Sequence, residues 1–151
     1  MGDLYEDDIV LWSERQAELL RRRAAGELVN DASVDWVNIA EEIESMGRAE
    51  RDQLTSRLTV LLAHLLKWRF QSGYRGASWR LTIVEQRRMA GKLLARNPSL
   101  KPRLDEITRE AYADALLIAE RETGLPDWTF PTPCPWTWDN VMQDGFLGEE
   151  P

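Results

Sequence analysis

The chain has one cysteine, one histidine and no long apolar segment, and each scarcity excludes a class of structure. Because Cys134 has no second cysteine to pair with, an internal disulfide is excluded and a reducing compartment is favoured. The longest apolar run, 58–66, contains Thr59 and His64 and is far shorter than the ~20 residues that span a bilayer. The N-terminus shows no secretory signal. We therefore predict a cytoplasmic protein that does not enter a membrane.

Motifs for catalysis and for cofactors are also scarce. A single histidine cannot supply a three-histidine metal site or the paired Glu-x-x-His motifs of di-iron bundles. The sequence has no Gly-rich phosphate loop and no dinucleotide fingerprint. Glu41 and Glu44 could share a hard cation such as Mg²⁺, but an acidic helix face that pairs with Arg48 is the preferred interpretation. These patterns predict no cofactor and no metal, and they favour a non-catalytic protein while leaving an enzyme open.

Apolar residues recur at three- and four-residue steps nearly throughout, which predicts an all-α fold without strands. We predict an elongated bundle of four main helices in a single domain, 1–151, with a homodimer as an open alternative. The four helices are expected from about Ile9 to Ala25, from a cap at Asp35 to Trp68, from about Ser78 to Asn97, and from a cap at Ser99 to Gly124.

The second of these helices would be unusually long for a chain of this size. Its segment Ser45-Met46-Gly47 contains a glycine, which destabilises a helix interior by ~1 kcal/mol relative to alanine. We therefore expect a bend or a break there, in preference to one continuous helix.

The tail, 125–151, differs in composition from the helices before it. Four prolines alternate with Trp128, Phe130, Trp136 and Trp138. Proline lowers the entropy lost when an irregular segment is ordered, and each aromatic side chain can bury a large area. We predict an irregular strap that packs on the bundle and ends in a short helix capped by Thr137.

Several motifs carry a resemblance along nearly the whole chain. They are Tyr5 with Trp12, the segment AEEIESMGR at 40–48, HLLKW at 64–68, Trp79, EQR at 85–87, YADA at 112–115, and Phe130-Pro131 with Cys134-Pro135. Together they resemble the bacterial domain-of-unknown-function family twenty-nine. The resemblance implies a small all-helical bacterial protein and supplies no biochemical activity.

The charge distribution provides the strongest functional signal. The whole chain carries a net −7, but 67–103 contains ten Lys or Arg residues and the single acid Glu85. A block this one-sided either neutralises the neighbouring acidic helices or faces an anionic partner. We predict a basic helical corner that binds an acidic protein partner through Lys67, Arg75, Arg80, Arg87 and Arg88.

Two alternatives remain open for this region. The mixture of cationic and aromatic side chains also suits single-stranded nucleic acid. A small-molecule or enzymatic pocket is the second alternative, with His64 as acid or base and Arg57 holding an anion. The residues predicted for that pocket are Arg57, His64, Trp68, Trp79 and Glu85.

Overall fold

A computed structural model describes residues 2–149, and within this range it contains helices and no strand. The predicted all-α fold is therefore confirmed, with four long helices and a short terminal one. None of the helices in the described range combines the length and the apolar character that a bilayer crossing requires. The helices are α1 (Leu4–Asp7), α2 (Ile9–Ala24), α3 (Trp36–Phe70), α4 (Ala77–Arg96), α5 (Leu104–Thr123) and α6 (Trp138–Met142).

The long helix α3 runs without interruption through Gly47, so the break expected there does not occur. Ion pairs across this stretch support the helix: Arg48 lies 2.8 Å from a Glu41 oxygen and 3.7 Å from a Glu44 oxygen. The Glu44–Arg48 pair has the i,i+4 spacing that stabilises a helix by a few tenths of a kcal/mol, and strong helix formers surround the glycine. Together these contributions offset much of its cost.

The chain divides into two compact units, 1–48 and 49–151, and the first is a small helical hairpin. Its centre is Trp12, whose Nε1 donates to the Asp35 carboxylate at 2.9 Å. The Tyr5 hydroxyl donates to Glu42 at 2.6 Å, and the Tyr5 ring meets Trp12 edge to face. Of the described residues in this unit, Trp12 and Val34 alone are buried. Polar contacts therefore hold most of this unit together.

Asp35 caps α3, as the sequence predicts. Its carboxylate accepts from the Asn38 backbone N–H at 3.3 Å and from the Asn38 side-chain amide at 2.8 Å. These hydrogen bonds, together with the one from Trp12, lower the pKa of Asp35. Asp35 therefore joins α2 to the start of α3 in addition to capping the N-terminus of that helix.

In the second unit, the C-terminal half of α3 packs with α4 and α5 around an aliphatic core. Ion pairs fix the helix register: Glu50 of α3 binds Arg96 of α4 at 2.7 Å, and Arg51 binds Glu110 of α5 at 3.1 Å. The largest fully buried side chains are Leu54, Leu58, Leu61, Leu62, Leu65, Leu66, Ile83, Ile107 and Val141.

The start of α5 differs from the prediction. A 3-10 helix, Pro98–Arg103, follows α4, and α5 begins only at Leu104 without a cap from Ser99. Proline residues at 98 and 102 lack the backbone N–H that regular helix needs, which explains the tighter turn. The predicted ends hold elsewhere, since α4 ends before Pro98 and Gly124 closes α5 with a φ of 69°.

The tail forms the predicted strap, with irregular backbone around a 3-10 turn, Asp127–Thr129, and the short helix α6. The hydroxyl of Tyr112 on α5 donates to the Pro131 carbonyl, and Phe130 meets Phe70 of α3 edge to face. Thr137 caps α6 through a capping box with Asn140. The strap is therefore part of the core of the second unit, apart from Trp128, which is 82% exposed.

Candidate binding surface on helix α4

Helix α4 has two faces of different character. One face is buried against α3 and the tail through Ile83, Gln86, Arg87, Ala90 and Leu93. Residues at i, i+3 and i+4 share a helix face, so the exposed side of α4 forms a second stripe. We call this stripe the α4 surface; it consists of Arg80, Leu81, Val84, Arg88, Gly91 and Lys92.

The α4 surface is partly apolar. Leu81 is 55% exposed and Val84 is 38% exposed, although both are large aliphatic residues on a helix that already has a buried face. Val84, Arg88 and Gly91 line one side of an open groove of about 520 Å³, and Met142, Asp144 and Gly145 of the tail line the other side. Arg87 also lines this groove, so the helix and the tail form an open trough of mixed apolar and charged character.

The cations of the α4 surface have no neutralising partner among the described residues. Between residues 2 and 149, Arg80, Arg88 and Lys92 form no ion pair and no side-chain hydrogen bond. Their neighbour Arg96, by contrast, donates to the Glu50 carboxylate from Nε at 3.1 Å and from a terminal nitrogen at 2.7 Å. The α4 surface therefore presents three free positive charges around Leu81 and Val84.

Arg87 was predicted to face a partner, and the structure places it in the interior. Arg87 is only 6% exposed, and its guanidinium donates to the backbone carbonyls of Val141 and Phe146. Burial lowers the pKa of Arg87, but the ordinary value is so high that the group stays charged at neutral pH. Arg87 holds the tail against α4 and is not available for binding.

Lys67 is the second correction to the predicted binding set. It is 7% exposed, and its Nζ lies 2.6 Å from a Glu122 oxygen of α5. The same ammonium group lies 4.6 Å from the ring centre of Trp79 on α4. Its long aliphatic stem crosses the core to reach both partners, so this cation links three helices.

Arg75, which lies in the link between α3 and α4, is exposed but has internal contacts. Its Nε donates to the Trp68 carbonyl at 2.6 Å, and its guanidinium lies 5.4 Å from the Trp68 ring centre. Trp68 and Trp79 thus each have a cation of the same chain over the ring. Arg75 can still present its outer N–H groups, but it stabilises the link as well.

The structure does not assemble the predicted pocket of Arg57, His64, Trp68, Trp79 and Glu85 through direct polar contacts. Arg57 approaches Gln86 at 3.5 Å, and His64 contacts the Val60 carbonyl of its own helix at 2.9 Å. Glu85 is exposed and, within the described residues, has no hydrogen bond and no ion pair. The side chains that sequence spacing grouped together therefore have separate partners.

His64 is half-buried, and burial lowers its pKa below the ordinary value. Lys67 nearby lowers the pKa further, whereas Glu122 and the contact with Val60 oppose the shift. The neutral ring must then donate from Nδ1 to the Val60 carbonyl, which leaves Nε2 as an acceptor. Such a histidine is a packed, neutral side chain at pH 7.

We expect the proton titration of His64, followed by NMR, to show a midpoint below the ordinary value of about 6.5. The chain has one histidine, so the resonance needs no assignment. Between the lowered folded pKa and the ordinary unfolded pKa the unfolded state binds more protons, so the free energy of unfolding falls as pH decreases through that window. A midpoint at or above 6.5 would show that His64 is solvated or paired with an acid.

Cys134 does not have the surroundings of a nucleophile. Burial raises the pKa of its thiol, and the Sγ lies 3.2 Å from the Trp136 carbonyl, to which it donates. A reactive cysteine needs the opposite shift, because the thiolate is the attacking form. Among residues 2–149 no group of three or more Asp, Glu, His or Cys side chains is arranged to hold a metal ion.

A second exposed apolar region lies next to acidic side chains. Trp128 and Leu117 border a groove of about 570 Å³ between α5 and the strap, together with Glu120 and Asp127. The two carboxylates make this groove unfavourable for an anionic partner. Of the two grooves, only the one on α4 has arginine side chains in its lining, Arg87 and Arg88, beside Asp144.

The aliphatic part of the α4 surface was missed at the level of sequence. Leu81, Val84 and Gly91 lie between residues of the buried face, such as Ile83, Ala90 and Leu93. The available signal was the pair Leu81 and Val84, two large aliphatic residues three positions apart that lie outside the buried set of this helix.

Comparisons with known proteins identify one relationship. A family model described as "Domain of unknown function DUF29" matches residues 4–147. Searches of curated proteins and of solved structures gave no match.

Proposed function

The chain belongs to the DUF29 family, and we propose that it is a non-catalytic interaction module whose α4 surface binds an acidic amphipathic helix of a protein partner. The observation that carries the proposal is the combination of three unneutralised cations, Arg80, Arg88 and Lys92, with two exposed aliphatic residues on one helix face. A helix face that only carried charge into solvent would have no reason to expose two large aliphatic residues such as Leu81 and Val84.

A helix is the element that fits this surface. Leu81, Val84 and Arg88 follow each other at three- and four-residue steps, and such a stripe packs against a matching stripe of a second helix. Gly91 places no side chain on this face, and a methyl group added there would be in ordinary contact with the Met142 Cε, at 3.5 Å. The partner helix would place aliphatic residues on Leu81 and Val84 and carboxylates beside the arginines.

Single-stranded nucleic acid is less well supported by the same geometry. Stacking of bases needs free aromatic faces. Lys67 lies over Trp79 and Arg75 lies over Trp68, so a base would have to displace an internal cation. The aliphatic residues of the α4 surface offer no stacking, and a net charge of −7 repels a polyanion at a distance.

The proposal can be tested by fluorescence anisotropy with a labelled synthetic peptide of about 20 residues that forms an amphipathic helix with a leucine stripe flanked by glutamates. We expect the double variant Arg80→Glu/Arg88→Glu to bind at least about tenfold more weakly than the wild type, because two attractive contacts become repulsive. The matched control, Arg103→Glu/Arg109→Glu, makes the same charge change on exposed residues outside the α4 surface and should stay within about twofold.

Two further probes make the outcome decisive. A scrambled peptide of identical composition should bind poorly, because it retains the charge and loses the stripe. A single-stranded oligonucleotide tests the alternative, and tight binding that falls steeply with salt would favour it over a helical partner. Equal peptide affinity for the α4 variant and the control variant would refute the proposed surface.

A further inference from the structure

The N-terminal unit leaves much of its apolar surface uncovered. Trp36, Val37, Ile43 and Met46 on the first half of α3 are between 50% and 80% exposed, while Trp12 and Val34 are the buried residues of this unit in the described range. Contiguous exposed apolar surface in a soluble domain marks a site of interaction. This helix half therefore has room for a partner.

The exposed residues lie on one side of α3. Trp36 and Ile43 are seven residues apart on this side, with Val37 next to Trp36, whereas the contacts with α1 and α2 lie on the other side of the helix, through Glu42 and Asp35. Ala40 and Gly47 flank the same stripe. The stripe has the spacing of a helix-packing seam and no helix packed on it within this unit.

Gly47 adds an independent observation. It lies in the interior of a continuous helix, where glycine is less favourable than alanine by ~1 kcal/mol. A side-chain methyl at this position would meet no atom within 4 Å, so packing inside one copy of the chain does not require a glycine. Close approach of a helix from another molecule is a physical reason for it.

The charge of this unit is opposite to that of the α4 surface. Residues 1–48 contain twelve acidic and five basic side chains, a net −7. Glu44 lies beside the apolar stripe and Glu41 lies further round the helix on the same flank; both are exposed and share the cation Arg48. An acidic helix with an exposed aliphatic and aromatic stripe is the ligand class that we proposed above for the α4 surface.

We infer that the partner of the α4 surface is the first half of α3 in a second copy of this chain. The inference rests on the proposed function and names its partner. Each copy carries one basic and one acidic face, so a two-fold dimer makes the same contact twice. Arg80 and Arg88 of each copy then lie opposite Glu41 and Glu44 of the other copy.

A charge-swap experiment on the full-length chain tests this dimer. The first variant, Arg80→Glu/Arg88→Glu, makes α4 acidic; the second, Glu41→Arg/Glu44→Arg, makes the first half of α3 basic. In sedimentation velocity, we expect each variant alone to dimerise at least about tenfold more weakly than the wild type, because both contacts become repulsive. An equal mixture should dimerise within about threefold of the wild type, since the first variant's α4 attracts the second variant's α3 and the remaining contact is the native one.

The control Arg103→Glu/Arg109→Glu should dimerise like the wild type, and circular dichroism checks that all variants remain helical. A wild type that stays monomeric up to about 100 μM overturns the inference, and so does a mixture that fails to recover. The peptide tests the proposed function separately. A wild type that is monomeric but still binds the peptide through Arg80 and Arg88 refutes the dimer and leaves the proposed function standing. A wild type that neither dimerises nor binds the peptide refutes both.

Discussion

Replacing Arg87 by methionine should lower the free energy of unfolding by about 3 kcal/mol. The side chain donates to the carbonyls of Val141 and Phe146 in an environment that is nearly closed to water. Hydrogen bonds from a charged donor contribute ~1.5–3 kcal/mol each, and the two carbonyls would lose their partner. Methionine keeps most of the side-chain volume, so the loss reports the hydrogen bonds and not a cavity. Urea unfolding followed by circular dichroism measures it.

Arg88→Met is the matched control, one residue further along the same helix. Arg88 is exposed and has no partner within residues 2–149, so its replacement should change the free energy of unfolding by less than about 0.5 kcal/mol. Hydrogen exchange should also become faster in the segment 137–149 of the Arg87 variant, because the anchored tail is released. Equal stability of the two variants would contradict the assignment of Arg87 as a tail anchor.

Replacing Trp136 by alanine should have an effect at least as large, about 3–5 kcal/mol, because a buried indole is removed and a cavity remains. Trp136 is 3% exposed, meets Phe146 edge to face with ring centres 5.9 Å apart, and donates from Nε1 to the Glu149 carbonyl. A methyl group added at Gly148 would lie only 3.3 Å from its ring, which shows how closely the tail follows it.

Trp128→Ala is the control for this change, since it removes the same side chain from the exposed part of the strap. We expect a change of less than about 0.5 kcal/mol in the free energy of unfolding. Both variants lose one of seven tryptophans, so circular dichroism is the better probe than fluorescence. A comparable loss of stability in the two variants would mean that the strap is not anchored through Trp136.

The helices could be predicted from the sequence because their determinants are local. Asp35 and Thr137 cap helices through side-chain contacts within three residues, and Gly124 ends α5 by adopting a positive φ. Such signals do not depend on the rest of the fold. The helix is not broken at Gly47, because one unfavourable residue does not outweigh the helix propensity and the ion pairs of its neighbours.

The candidate site could be predicted only in part, since it depends on which charges are neutralised in three dimensions. Lys67 and Arg87 look like Arg80 and Arg88 in the sequence, but their partners Glu122, Val141 and Phe146 lie more than fifty positions away along the chain. No local pattern identifies such contacts. The basic block is therefore a correct observation about charge, and the structure divides it into internal anchors and the free cations of the α4 surface.

The most direct test of the account is an amide chemical-shift map of the full-length protein as it binds the acidic helical peptide. If the peptide binds at the α4 surface, the largest changes should fall between Arg80 and Lys92 and on the facing tail residues Met142 to Gly145. The same map should show little change at Trp128 and Leu117, where Glu120 and Asp127 repel an acidic ligand. Changes centred on that second groove, or spread without a centre over the whole protein, would contradict the proposed binding surface.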